Sequence, residues 1–131
     1  MQNTAIFYDI ENLLKGYNDP QTVAKNISLK ETINQIKAVE IVGGIGIQRA
    51  YANWSDYRLK TIAQEVSKLG IEPIQLFGLS WNQKKNAADI QLAVDVIDLV
   101  YVRPWFDVFV IVSGDGGFSA LGKSYMNAEE K

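Results

Sequence analysis

The sequence predicts an α/β protein in which a parallel sheet is sandwiched between helices. Two observations carry this. Ala5-Ile6-Phe7-Tyr8-Asp9 and Val108-Phe109-Val110-Ile111-Val112-Ser113-Gly114-Asp115 are unbroken apolar runs that each end towards an aspartate. Such runs mark strands buried on both faces, as in parallel sheets. The segments between strand signals have helical period and crossover length, which favours three layers with right-handed connections. At 131 residues the chain suits one domain with one core.

The elements follow in order. Residues 4–10 form the first strand and 11–17 a loop leaving its carboxyl end. Asp19-Pro20 opens a short helix, with Asp19 as N-cap and Pro20 in the first turn. Ser28 and Glu31 have capping-box spacing, and Leu29, Ile33, Ile36 and Val39 mark the buried side of the next helix. Gly43-Gly44 ends it, and residues 45–51 give the second strand. Ser55 caps a helix carrying Ile62, Ala63, Val66 and Leu69, closed by Gly70. Residues 71–77 read as a third strand, placed near an edge by Pro73. After a polar loop over 78–85, Asn86 caps a long helix with Ile90, Ala93, Val94, Ile97 and Val100 as its apolar side. Pro104 stops it. Residues 107–113 are the fourth strand, and 114–117 turn into a short last helix.

Composition removes whole classes of chemistry. There is no cysteine, hence no disulfide, thiolate metal site or thiol nucleophile. There is no histidine, so Ser-His-Asp triads and imidazole-bound zinc are excluded as well. Hydrolysis would have to run on carboxylates, Lys, Tyr or a hard metal held by oxygens. The net charge of −2 makes any nucleic-acid surface a local patch. No leader or membrane-length apolar run is seen, and the expected compartment is cytoplasmic.

The candidate site grows from the two strand ends. Carboxylates at the carboxyl ends of adjacent strands, about 5 Å apart, repel unless a proton or cation lies between them. Such strand ends are where open α/β sheets bind ligands. Asp9 and Asp115 are the anchors. Asp89, three residues past the expected cap Asn86, joins them as the third acid. Asp95 is a supporting acid further down the same helix. Asn12 is placed to hold a water or a phosphate oxygen, or else to cap its loop. Glycines around Asp115 expose N–H groups to anions. Trp54 and Arg58 after the second strand, with Trp81, Lys84 and Lys85 before Asp89, combine aromatics and cations in the manner of single-stranded nucleic-acid surfaces. Ordinary loop composition would look the same.

Four segments carry a resemblance: Phe7-Tyr8-Asp9-Ile10-Glu11-Asn12, Tyr51-Ala52-Asn53-Trp54, Lys85 to Asp95, and Ser113-Gly114-Asp115-Gly116-Gly117-Phe118. In this order they resemble NYN domains of the LabA-like branch (DUF88) in the PIN-like nuclease superfamily. The resemblance implies a Rossmann-like sheet of order 3-2-1-4, extended in the family by a fifth strand that this chain is expected to lack, with truncation after about residue 122. It implies RNA phosphodiester hydrolysis with Mg²⁺ or Mn²⁺ held by Asp9, Asp89 and Asp115. Supporting positions are Asn12, Asn53, Asp56, Asp95 and Ser113. RNA, single-stranded or structured, is the implied partner. Where many relatives carry aspartate this chain has Asn53 and Gly117, with Asp56 as a nearby substitute. Three other readings stay open: an RNA- or protein-binding module without catalysis, a haloacid-dehalogenase-type phosphatase using Asp9, and a scaffold forming a homodimer through an open sheet edge.

Overall fold

Strand β1, Gln2–Asp9, lies at the centre of a five-stranded sheet. Ala5, Ile6, Phe7 and Tyr8 are fully buried, as a strand covered on both faces requires. The computed structural model describes residues 2–76, 81–114 and 117–122, with the side chains of 2 and 81–88 outside that description. The sheet order is β3-β2-β1-β4-β5, with β2 at Gly44–Ala52, β3 at Glu72–Gln75, β4 at Val108–Val112 and β5 at Phe118–Gly122. The pairs β1–β2, β1–β4 and β2–β3 are parallel, in the expected order 3-2-1-4.

The expectation of four strands with no fifth is corrected. Among the described residues, no helix follows β4 where the sequence predicts a last one. Gly117 N–H donates to Gly114 O at 3.0 Å and Ser113 N–H to Gly117 O at 3.3 Å, which turns the chain back on itself. β5 then runs antiparallel to β4, from Phe118 beside Val112 to Gly122 beside Val108. Phe118 and Ala120 pack towards the core, so β5 covers the β4 edge that a dimer through an open edge would have used. The exposed edges are β3 and β5. Pro73 on β3 meets the expectation of an edge position there, because proline cannot donate to a further neighbour.

Alternation along β1 divides the core. Ile6 and Tyr8 face a cluster with Leu14, Val23, Leu29, Ile36, Leu59 and Val110, roofed by the helices α1 (Ile10–Leu13), α2 (Pro20–Asn26), α3 (Leu29–Lys37) and α4 (Lys60–Lys68). Ala5 and Phe7 face the other side, with Tyr51, Phe106, Phe109 and the helix α5 (Trp81–Val102). Two expected caps hold: Asp19 accepts from Thr22 N–H at 2.8 Å, and Ser28 from Glu31 N–H at 3.2 Å. Ser55 does not cap the next helix: Asp56 caps a short 3₁₀ turn over Tyr57–Leu59, and α4 follows from Leu59 with no side-chain cap.

Helix α5 departs from the sequence reading in two ways. It starts at Trp81, so residues 81–85 are helical rather than loop and Asn86 is interior. Its buried side is Leu92, Val96 and Leu99, whereas Ile90, Val94 and Ile97 are more than half exposed, as is Tyr101. The helix is apolar around most of its girth, so periodicity alone does not choose a face. Among the described residues, no helix is long and apolar enough to cross a membrane.

Candidate metal centre at the strand ends

Side-chain parity brings Asp9 to the site. Residues 5, 7 and 9 of β1 point to the same face, and that face carries α5. Asp9 is only 4% exposed. It is also the N-cap of α1, its Oδ1 accepting from Asn12 N–H at 3.1 Å.

Asp89 comes from the side of α5 rather than from its first turn, since the helix begins eight residues earlier. Its carboxyl lies within hydrogen-bonding reach of Asp9. Burial pushes the Asp9 pKa up from 3.8 to about 6, against the Asn12 N–H, which lowers it; the Asp89 carboxyl and the charge of Glu11 raise it further. Two carboxyls in contact need a proton or a cation between them. The donor set is all hard oxygen, and it fits Mg²⁺ or Mn²⁺. Among the described residues, no group of three or more acids is placed to hold a metal ion. Asp115 lies outside the described residues. Tyr8 opposite Val112 nevertheless sets the ends of β1 and β4 side by side, as the two-anchor reading requires.

A second tie joins the sheet to α5. Tyr51, in register with Asp9 on β2, donates its hydroxyl to Asp95 Oδ2 at 2.6 Å. Burial, and then the Asp95 carboxylate, push the Tyr51 pKa far above its ordinary value, so it stays a donor. Gln91 Nε2 holds the other Asp95 oxygen at 3.1 Å. Asp95 is therefore committed to fixing α5 against the strand ends, and through α5 it orients Asp89.

On the other flank Asn12 spans the ends of β1 and β4. An added Cβ at Gly114 would come within 3.3 Å of Asn12 Nδ2, and Gly114 has φ +61°. Glycine is the residue that accepts both the left-handed backbone and the close side chain. Ser113, beside it, is exposed.

The turn after β2 is built from polar pairs. Asn53 Oδ1 accepts from Ser55 N–H at 3.2 Å and from Gln75 Nε2 at 3.0 Å, while Glu11 Oε1 takes the Asn53 N–H at 2.6 Å. Asn53 thus caps its own turn. Asp56 pairs with Arg58 at 2.6 Å, and Arg58 Nη1 donates to Tyr17 O at 2.9 Å, which ties the loop after α1 to this turn. Trp54 donates its indole N–H to Ile74 O at 3.1 Å and lies partly buried against the core. The side chains of Trp81, Lys84 and Lys85 lie outside the described residues.

Sequence reasoning missed Tyr51, Glu11 and Gln75. Tyr51 reads as one more strand aromatic, and nothing in its neighbourhood distinguishes the hydroxyl that reaches α5. Glu11 and Gln75 reach across the fold to their partners, so no local pattern announces them.

No curated protein sequence and no solved structure gives a significant match to this chain. A family model described as the NYN domain matches residues 3–131. The match covers nearly the whole chain and agrees with the mostly parallel α/β sheet, so the chain belongs to the NYN-domain family and thereby to the PIN-like nuclease superfamily.

Proposed function

We propose that this protein is a divalent-metal-dependent ribonuclease that hydrolyses RNA phosphodiesters. The observation that supports this most is the buried Asp9 carboxyl within reach of Asp89, a pair that a divalent cation would satisfy where otherwise a proton must be shared. Asp9 and Asp89 would hold Mg²⁺ or Mn²⁺ with Asp115, which enters from its motif and from the neighbouring position of β4. A bound ion of this kind supplies Lewis-acid polarisation of the phosphate and lowers the pKa of a water near neutrality.

The chain's own residues do the rest. Asn12, fixed beside Gly114, offers an amide to a phosphate oxygen or a water at the rim. The Tyr51–Asp95 bond holds α5 and with it Asp89. With no histidine in the chain, the side chains that could accept the proton of the attacking water at this rim are carboxylates.

Replacing Asp9 with Asn keeps the α1 cap and removes the charge. On labelled RNA with Mn²⁺, cleavage by Asp9→Asn should fall at least about 100-fold, roughly 2.7 kcal/mol of transition-state stabilisation. Cleavage at the wild-type rate would remove Asp9 from the mechanism.

A second reading is an RNA-binding module without catalysis. Asn53, at the position where relatives carry an acid, spends its side-chain oxygen on its own turn, which favours that reading. Calorimetric titration separates the two: retained RNA binding with no heat from Mn²⁺ would support the module.

A further inference from the structure

Next to the acid rim lies a cavity of about 560 Å³ of quite different character. It begins at Asn12 and Gly114, which are part of the strand-end site, and continues under the loop after α1 to the start of α3. Its other lining includes Lys15, Tyr17, Asn26, Ser28 and Thr32, and among the described residues no carboxylate lines it. The volume falls within the roughly 300–1,000 Å³ of small-ligand sites.

The chemistry of the wall suits a nucleotide. Lys15 is exposed and, among the described residues, takes part in no ion pair. Ser28 Oγ accepts from Glu31 N–H, so its own proton remains to donate. It is also the N-cap of α3, a nine-residue helix, whose positive end adds to the charge of Lys15. Tyr17 is half-buried and contributes an aromatic wall. Thr32 spends its hydroxyl proton on Ser28 O at 3.0 Å and so offers an acceptor, with the Asn26 amide nearby.

The wall is also braced. Gly16, at φ +89°, makes the bend that sets Lys15 and Tyr17 on the cavity. Arg58 holds Tyr17 O, and Tyr57 Oη donates to Asn18 O at 2.6 Å. These two bonds give Arg58 and Tyr57 a positioning role that the loop's sequence does not reveal.

We propose that this cavity takes the nucleotide flanking the scissile phosphodiester of a single-stranded RNA, with phosphate on Lys15 and Ser28 and the base against Tyr17. The proposal rests on the ribonuclease reading for its substrate. A concave, one-sided pocket receives an unpaired base, whereas an A-form duplex hides its bases.

Fluorescence anisotropy of a labelled ten-nucleotide RNA, on metal-free protein in chelator, tests it. Lys15→Gln should weaken binding about five- to tenfold and reduce the magnitude of the log Kd–log salt slope by about 0.7, the value for one single-strand phosphate contact. Tyr17→Leu keeps apolar packing, loses the stacking surface and should weaken binding at least about fivefold, with an unchanged salt slope. Lys37→Gln, at the far end of α3, should bind within twofold of wild type. An unchanged affinity and salt slope in Lys15→Gln would overturn the proposal, as would equal binding of the same sequence as a duplex. If a nucleoside 5′-monophosphate saturates the cavity while RNA binding ignores Lys15→Gln, the site serves free nucleotides and the RNA proposal falls. Loss of cleavage in Asp9→Asn with wild-type RNA binding in Lys15→Gln would sink the pocket and leave the nuclease reading standing. Weakened RNA binding in Lys15→Gln with no RNA cleavage by the wild-type protein in Mn²⁺ would sink the nuclease reading and leave an RNA-binding pocket.

Discussion

Metal-free Asp9→Asn protein should be more stable than wild type at pH 7, although the same substitution is expected to remove the proposed activity. In the folded protein, burial and Asp89 raise the Asp9 pKa to about 6, against 3.8 for the free group. Between these values the folded state binds more protons at this site than the unfolded state. Stability from this group therefore falls as pH rises from about 4 to about 6 and stays low above. The full shift corresponds to roughly 3 kcal/mol. Asparagine still caps α1 but gives up the carboxylate's attraction for the helix end, worth roughly 0.3–1 kcal/mol. The net expectation at pH 7 is a gain of about 1–3 kcal/mol that vanishes near pH 4. Urea unfolding of both proteins in chelator from pH 4 to pH 8 measures it. Mn²⁺ at about 100 times its Kd should add roughly 2.7 kcal/mol to wild type and nothing comparable to the variant. A variant less stable than wild type at pH 7 would mean that Asp9 is satisfied without a cation.

The second large effect lies on α5. Leu99 is 3% exposed and belongs to the buried cluster on that face with Ala5, Phe7 and Phe109. Leu99→Ala should cost about 2–5 kcal/mol in chemical denaturation. Ile97, two residues away and 57% exposed, should tolerate Gln within about 0.5 kcal/mol. Equal costs at the two positions would mean that the exposed stripe is covered in solution, since uncovered apolar patches of this kind commonly mark contacts.

This pair of residues shows where the sequence can and cannot be read. The β1 and β4 runs are apolar on both faces and admit one interpretation, so the central strands, their adjacency and Asp9 at the rim were all legible. The capping residues Asp19 and Ser28 were legible too, because a cap is a local device. In α5 the apolar residues surround the helix, and only packing against β1 and β2 selects Leu92, Val96 and Leu99. The same ambiguity hid the helix start, since Trp81 to Lys85 is polar enough to pass for a loop. The sequence places Asp89 in a first helical turn, whereas in the structure it lies eight residues into α5 and meets Asp9 from the helix side. β5 escaped notice because Phe118-Ser119-Ala120-Leu121-Gly122 has no β-branched residue and little strand propensity. It forms because the Gly114–Gly117 turn delivers it to an unpaired edge. The polar contacts of Tyr51, Glu11 and Gln75 depend on distant segments meeting, which no local pattern records.

The claim on which the functional account depends is that Asp9 and Asp89 converge to share a divalent cation. A crystal soaked in Mn²⁺ and measured at the manganese edge tests it directly. The account predicts an anomalous peak about 2.0–2.3 Å from carboxylate oxygens of both residues. A soak at saturating Mn²⁺ with no anomalous peak beside these two carboxyls would contradict it.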